Sequence, residues 1–580
     1  MVTTVPAAPG TLLPASNAGL VDRRPRLWLS ALILTGILGA IALAIGGGPG
    51  FTVDEVALLS QVNSLESGSW MTPHPHPSVD PDLVAYPNHL AVRTDGGFSA
   101  YSKHPLVPLV LLWSRSVAGG FGPWLVVLIG HVAAATAIAR VIRLVVPRWE
   151  TAGFWLAGLG SPLVLHALVL WMHSWGIALA ALATERALTV VQDESRGRLR
   201  LDRVAAVLVA VAALPLVRTE GALFGVALAG ALGLDALRRR CPQVLCVAGL
   251  VVGTTMAVVL LEAAWVRAVV GEYRDVGENP SAHLSWIQQR GSAVVSNLLT
   301  AGSRPGTVIA ITISSTLVIL AAWSSRRGVR GVKVWALAGV GAALHVAALH
   351  VPSATPVPGL VHGAPLLVVP LVMVRPARHP AERILVPLIG LYLLGVALTA
   401  YATGGGADWA GRYSSLGTPA LAALAAVRLD AQRRLIGPRD ARVLLGALLA
   451  MTVAAGPAVI RYVGESVDTL SAQRAAIDER VAQVAPDPVV HRPVAITEDP
   501  RLGRVLELAA DRVAGLRAET SRELVPLLER LRAAGSVEVL LVRYAPVTPT
   551  DVAAIEGAGW SVRTSVDDPA GVRFVVLSTS

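Results

Sequence analysis

Lysine is nearly absent from this sequence: Lys103 and Lys333 are the only two among 49 basic side chains in 580 residues. Charge of any kind is scarce, at 15% of residues against roughly 25% in ordinary soluble domains. With 53% apolar residues, that scarcity excludes a soluble enzyme of this length. Cysteine is limited to Cys241 and Cys246, beside Arg238, Arg239 and Arg240. No third or fourth ligand stands near them, so they read as small apolar residues in a reducing compartment, not as a zinc site. Internal repeats are missing, and no A-x-A-like pattern follows the first apolar run, which therefore reads as a membrane helix and not a leader.

What is present is unevenly spread. Residues 461–580 hold 14 Arg against 17 Asp and Glu, and read as soluble; residues 1–460 are sparse in charge and strongly basic. The overall excess of +10 therefore points to arginine lining one membrane face, with no nucleic acid partner expected. Apolar runs fall at about 27–47, 121–146, 152–170, 172–191, 203–217, 221–237, 243–266, 303–323, 334–350, 358–374, 384–402, 412–428 and 444–461, each near the length of a span. The stretch 105–118 is short, contains Arg115 and ends in Gly-Gly. If it stays on one side, the arginine-rich connections all fall on the side of Arg23, Arg24 and Arg26, as the positive-inside rule requires. The sequence thus predicts an α-helical polytopic membrane protein of about 13 transmembrane helices with a small C-terminal α/β extracytoplasmic domain. Its parts are a cytoplasmic tail (1–26), a transmembrane domain (27–461, with a first outer loop at 48–120) and the extracytoplasmic domain (462–580). A surface amphipathic helix is expected within 267–302, a stretch that contains Tyr273, Glu278, His283, Trp286 and Arg290.

Four places on the expected outer side carry chemistry. Asp54 and Glu55 are adjacent carboxylates just past the first helix; they suit a general base or a divalent metal, or else a helix cap at the water boundary. Tyr101-Ser-Lys103-His104-Pro105-Leu106 sets one of the two lysines where cations are few, which suits a phosphate group, or else snorkelling at the interface. Arg218 and Glu220 form a charged pair in a turn between apolar runs, either functional or a structural ion pair. Gly404-Gly-Gly406-Ala-Asp408-Trp409-Ala-Gly-Arg412-Tyr413 is a glycine-rich turn that admits a ligand near the backbone, with an arginine to meet phosphate. Elsewhere, His166 and His173 lie seven apart and could face a cavity, with His173 as an acceptor or phosphate contact. His74-Pro-His76 could bind metal, though proline-rich loops scatter histidine without purpose.

The tail shows β-branched runs at Val494–Thr497, Val537–Val542 and Val572–Leu577, and helical spacing over Leu502–Leu516 and Leu524–Leu531. It has no glycine-rich phosphate loop and no nucleophile motif, so it reads as supporting or acceptor-recruiting.

In their order and their common side, the acidic pair, the Lys-His-Pro-Leu element, the Arg-x-Glu-Gly turn and the late Gly-Gly…Trp…Arg-Tyr turn resemble the GT-C superfamily of integral-membrane glycosyltransferases. The protein O-mannosyltransferase and lipid A aminoarabinose transferase types are the nearest in pattern. The resemblance covers about residues 27–430 as architecture and some twenty positions as motifs; the tail has no counterpart. It implies a sugar donor on a polyprenyl phosphate, a glycan, lipid or protein acceptor, and transfer at the outer face of the cell membrane. Asp54, with Glu55 beside it, would be catalytic; Lys103, His104, Arg218 and Arg412 would hold the donor phosphate. Tyr101, His173, Glu220, Trp409 and Tyr413 would support the site or the acceptor. His104 stands where the family usually has proline. No nucleotide site is expected, and a divalent metal is the one cofactor the acidic pair could take. The rival readings are a transporter or flippase, which would bury ionisable residues at mid-membrane and repeat its halves, and a scaffold that displays the tail.

Overall fold

The structure, a computed structural model, describes residues 27–45, 52–72, 76–81, 85–88, 92–94, 97–101, 103–160, 163–271, 273–274, 285–298, 300–301, 305–350, 357–373, 379–399, 411–435, 438–484, 493–510, 512–518 and 520–579. The chain begins with α1 (Leu27–Ala44), α2 (Val53–Glu66), α3 (Leu106–Ala118), α4 (Gly122–Val145), α5 (Glu150–Leu159) and α6 (Leu165–Leu168). There follow α7 (His173–Glu194), α8 (Leu201–Val217), α9 (Glu220–Arg239), α10 (Pro242–Val269), α11 (Trp286–Leu298), α12 (Pro305–Arg326) and α13 (Val332–Leu349). The bundle closes with α14 (Leu360–Gly363), α15 (Pro365–Met373), α16 (Glu382–Thr399), α17 (Thr418–Leu435) and α18 (Pro438–Val484).

Nine helical stretches among the described residues are long and apolar enough to span a membrane: α1, α3 with α4, α7, α9, α10, α12, α13, α16 and α18. The protein is thus a polytopic helical membrane protein, but four of the thirteen apolar runs fall short of that measure. The run at 152–170 is two helices, because Gly160 leaves α5 in an extended conformation (φ −79°, ψ 146°). The run at 203–217 gives α8, of 17 residues. The run at 358–374 divides into α14 and α15, each begun afresh. That at 412–428 opens with a 3-10 turn (Arg412–Gly417) and continues as α17, which carries Arg428 and Asp430. The ambiguous stretch 105–118 is α3, a 13-residue helix that Gly119 (φ 60°) ends before α4. It packs through Val107 and Leu111 on Ala57, Leu58 and Val62 of α2.

Helix direction sorts the charges. The ends of α4, α7 and α9 and the starts of α8 and α16 hold ion pairs: Arg140–Glu185 (3.2 Å), Arg203–Asp193 (2.8 Å), Arg239–Glu194 (2.8 Å) and Arg428–Glu382 (2.6 Å). The opposite ends of α7, α8 and α9 carry His173, Arg218 and Glu220. Arginine-rich connections and candidate site thus occupy opposite ends of the bundle.

Two short sheets lie by the site end. In the first, β1 (Val92–Thr94) pairs antiparallel with both β2 (Gly97–Ser99) and β3 (Tyr273–Arg274), tying the first loop to the chain after α10. β4 (Thr300–Ala301) and β5 (Val357–Pro358) form the second. α18 then runs for 47 residues, about 70 Å at 1.5 Å per residue, so it continues through position 461 into the tail without a break.

The tail is a five-stranded sheet in the order β7-β6-β8-β10-β9: β6 (Val494–Thr497), β7 (Ala514–Arg517), β8 (Glu538–Arg543), β9 (Trp560–Asp567) and β10 (Arg573–Thr579). β6 is parallel to β7 and β8; β10 is antiparallel to β8 and β9. Alternation along the strands sends Ile496, Leu541, Val575 and Leu577 to one face, against α20 (Ser521–Ala533) and α21 (Pro549–Gly557). Ala495, Leu540, Val542 and Val576 go to the other, against α19 (Pro500–Leu508) and the last turns of α18. The helix expected over Leu502–Leu516 stops at Leu508, and its end is the strand β7. That strand is buried at all four positions, so its apolar pattern has no alternation to separate it from a helix.

Candidate active site

The first turn of α2 separates the two adjacent carboxylates. Thr52 caps the helix: its hydroxyl accepts from the Glu55 N–H (3.2 Å), and its own N–H donates to Glu55 Oε2 (2.8 Å). The other Glu55 oxygen accepts from the Leu170 N–H at 2.6 Å. Glu55 is therefore buried in a cap that also fixes the chain between α6 and α7. Trp171 completes the joint by donating its indole N–H to the Thr52 hydroxyl (3.0 Å).

Asp54, one position earlier, faces the cations. Its Oδ1 receives Lys103 Nζ at 2.5 Å, and its Oδ2 lies 3.4 Å from Arg412 Nη1. Burial by itself would push the Asp54 carboxyl up. Lys103, then Arg412, and the hydrogen bond from Lys103 more than offset that effect, with Arg218 adding to it, and the carboxyl is held well below the usual carboxylate range. Asp54 and Arg412 stand 358 positions apart in the chain, and the four charges meet at one end of the bundle.

Each partner is positioned by local chemistry. Lys103 follows a segment pinned to α2: Gln61 Oε1 accepts from Ser99 Oγ (2.9 Å) and from the Tyr101 N–H (3.3 Å), while its Nε2 donates to the Trp70 carbonyl (2.6 Å). Tyr101 is buried there, and burial followed by the charge of Asp54 pushes its phenol above the ordinary range. Arg412 enters its 3-10 turn from Gly411 at φ 85°; a side chain there would also meet the Asn297 carbonyl at 2.8 Å. Its guanidinium lies 5.2 Å from the Trp171 ring and 5.1 Å from the Tyr413 ring, and donates to the Tyr413 hydroxyl (3.2 Å). The Tyr413 carbonyl in turn accepts from Tyr392 Oη at 2.5 Å. Arg218 pairs with Glu220 at 2.7 Å across the α8–α9 turn. It passes α7 at Gly176, where a Cβ would stand 3.0 Å from its Cγ.

His104 has φ 27°, a value proline cannot take, so the turn here differs from any that a Lys-Pro-Pro-Leu element could form. The ring is buried, with Nε2 3.2 Å from the Thr219 hydroxyl and Nδ1 3.5 Å from Glu262 Oε1. His166 and His173 are buried and stacked, ring centroids 4.6 Å apart and 10° from parallel. His173 also lies against Trp171 (4.8 Å). All four of their ring nitrogens are without a hydrogen-bond partner among the described residues.

The structure therefore gathers Asp54, Lys103, Arg412, Tyr413 and Tyr101, with Arg218, Glu220 and His173 alongside, and turns Glu55 into the cap. Trp409, Asp408, Gly404–Gly406, His74, Glu278 and His283 lie outside the described residues. Sequence reasoning missed Gln61, Trp171 and Glu262. Gln61 and Trp171 act through backbone and ring contacts that leave no pattern. Glu262 did leave one, since a carboxylate inside the apolar run 243–266 is costly and asks for a task. A divalent ion at Asp54 would have to displace two cations, and no group of three His, Cys, Asp or Glu suited to metal converges among the described residues; the donor set does not fit a metal.

Fold and site define a polytopic helical membrane protein with an anionic residue enclosed by cations at one end of its bundle and an α/β domain beyond it. Along its length the chain is similar to a solved structure of ArnT from Cupriavidus metallidurans bound to undecaprenyl phosphate, at 15% identity and a TM-score of 0.48, with 95% of this chain and 98% of that one covered. The apo state of the same protein matches at 14% identity and a TM-score of 0.45, with the same coverage. No protein-family model and no curated protein matches the chain.

Proposed function

We propose that the protein is a membrane glycosyltransferase of GT-C type that moves a sugar from a polyprenyl-phosphate donor to an acceptor at the outer membrane face. The observation that carries this reading is the Lys103–Asp54–Arg412 cluster: one carboxylate held ionised between two cations that are themselves partly exposed. Such an arrangement suits a reaction in which an anion arrives and a proton is removed. A donor phosphate draws Lys103 and Arg412 to itself, and Asp54, relieved of both, becomes a stronger base at the moment substrate is present.

The step is a single displacement with inversion. The acceptor oxygen bonds to the anomeric carbon as the bond from that carbon to the phosphate oxygen breaks. The acceptor's proton goes to Asp54, and the bonding electrons leave with the polyprenyl phosphate. Lys103, Arg412 and Arg218 stabilise the charge that develops on the leaving group. His173, whose ring lies 4.8 Å from that of Trp171 and whose two ring nitrogens have no hydrogen-bond partner among the described residues, has one N–H to offer the same oxygens. The acidic C-terminal domain supports the site and lies on the same side. The test is transfer from a purified polyprenyl-phosphate sugar by the protein in nanodiscs. Sugar transfer that depends on Asp54 is the expected result; movement of the carrier across the bilayer without transfer would favour a flippase.

A further inference from the structure

Beside the cluster lies a cavity of about 590 Å³ that the proposed chemistry leaves without a role. Its polar wall is Lys103, His104, Thr219, Glu262 and Arg267, and aliphatic residues of α8, α9 and α10 close the rest. The volume falls in the range of small-molecule sites, roughly 300–1,000 Å³. Lys103 belongs to both this cavity and the Asp54 cluster, so a molecule with one end at Asp54 has its other end here.

The cavity is built, not left over. Glu262 stands among aliphatic neighbours near the end of α10, and that end is held by Trp265 packed edge-on against Trp70, 5.1 Å between centroids. His104 keeps a positive φ that a β-carbon opposes. Its buried Nδ1 lies 3.5 Å from Glu262 Oε1, longer than a good hydrogen bond, and has no hydrogen-bond partner among the described residues. A carboxylate and an imidazole thus line one cavity, their nearest atoms 3.5 Å apart. A hydroxyl group, which donates and accepts, is what can meet both from the cavity.

We infer that Glu262 and His104 form a subsite for the hydroxyl-bearing ring of a sugar, with Glu262 accepting from a ring hydroxyl and His104 completing the pair. The inference rests on the glycosyl-transfer reading and deepens it by naming the residues that select the sugar. The ring is either the donor's or the acceptor's, and binding experiments separate the two.

The experiment uses full-length protein in nanodiscs and two probes: polyprenyl monophosphate, and the same carrier bearing one neutral hexose. Affinities are measured for wild type, Glu262→Ala and Glu262→Gln, with the acceptor KM measured alongside. Loss of a hydrogen bond to a charged group corresponds to about 10- to 100-fold. Glu262→Ala should lose that much affinity for the hexose-bearing carrier while its affinity for the bare carrier stays within about twofold. Glu262→Gln, a neutral isostere that keeps an acceptor in the same helix, should lose less. A rise in acceptor KM with both carrier affinities unchanged assigns the ring to the acceptor. Wild-type affinities and KM in Glu262→Ala, or equal loss for bare and sugar-bearing carriers, would overturn the subsite. Failure of the wild-type protein to bind the hexose-bearing carrier at all would instead overturn the glycosyl-transfer reading, and the subsite with it.

Discussion

Two carboxylates at helix α2, Asp54 and Glu507, are opposites. At its first turn, Asp54 is surrounded by Lys103, Arg412 and Arg218 and is held well below the ordinary range. Farther along, Glu507 of α19 in the tail is buried beside Ser60 of α2, with Asn88 and Tyr86 of the first loop. Burial pushes it up to about 7, and these three neutral side chains offset only part of that. Both groups have been taken out of water; what differs is whether charge or neutral polarity replaced it. A carboxylate among cations is kept ionised and reactive to anything that moves the cations. A carboxylate among hydroxyls and amides is kept near neutrality and serves as packing. The tail grips the same loop elsewhere: the Arg517 N–H donates to the Ala85 carbonyl (2.7 Å), Val79 and Ala85 enter the tail's core, and Gly503 lets Pro87 approach where a Cβ would meet its carbonyl at 2.4 Å. One helix thus carries the reactive residue at one end and the tail's anchor along its length.

The largest effect should come from removing the charge at Asp54. A positioned general base contributes about 10²–10⁴-fold, so Asp54→Asn should lower kcat for sugar transfer by that order while carrier binding persists. Transfer at the wild-type rate would leave Asp54 no more chemical a residue than Glu507, and the contrast would collapse. Next come the cations. Lys103→Ala and Arg412→Ala should each cost about 10²–10³-fold, the scale of one oxyanion donor. Lys103→Arg should recover only part, since a planar fork does not reproduce a compact ammonium. Both losses should fall on donor use more than on acceptor KM; wild-type turnover in all three variants would take the cations out of the site. Glu55→Gln tests the separation of the neighbours: it should weaken the cap by about 1 kcal/mol, read as a lower melting temperature, with a far smaller loss of kcat than Asp54→Asn.

The sequence carried much of this at the level of charge and little at the level of contact. The sparse lysine and the clustering of arginine sorted the ends of the bundle, and the acidic pair, Lys103 and Arg412 were found because charge near hydrocarbon is conspicuous. The resemblance marks Asp54 as the base, and neighbours on one turn point to different sides, which leaves Glu55 as a cap or an acceptor contact; the capping box itself was not legible, since it depends on where α2 begins. Strand β7 was read as helix because burial on both faces erased its alternation. The hold of the tail on the first loop was invisible for a different reason: Tyr86, Pro87 and Glu507 are ordinary surface-type residues until two distant segments meet.

The smallest effect on turnover belongs to Glu507, and the sign of its effect on docking is fixed by the raised pKa. With a folded value of about 7 against 4.5 for the free side chain, the docked state holds a proton that the undocked state gives up between those pH values. Docking is therefore strongest below about pH 4.5 and is lost progressively as pH rises through 7, by roughly 3 kcal/mol in full. Glu507→Gln keeps the shape and an oxygen for the Tyr86 hydroxyl, which donates to Glu507 at 3.3 Å, but has no proton to lose. Protease sensitivity of the 79–88 segment, measured from pH 5 to 8 in the full-length protein, should rise with pH in wild type and stay flat in Glu507→Gln. The same substitution should leave kcat near pH 6 within about twofold, because the group packs and does not react. A pH-dependent rise that survives in Glu507→Gln would place the titrating group elsewhere and leave Asp54 without its counterpart.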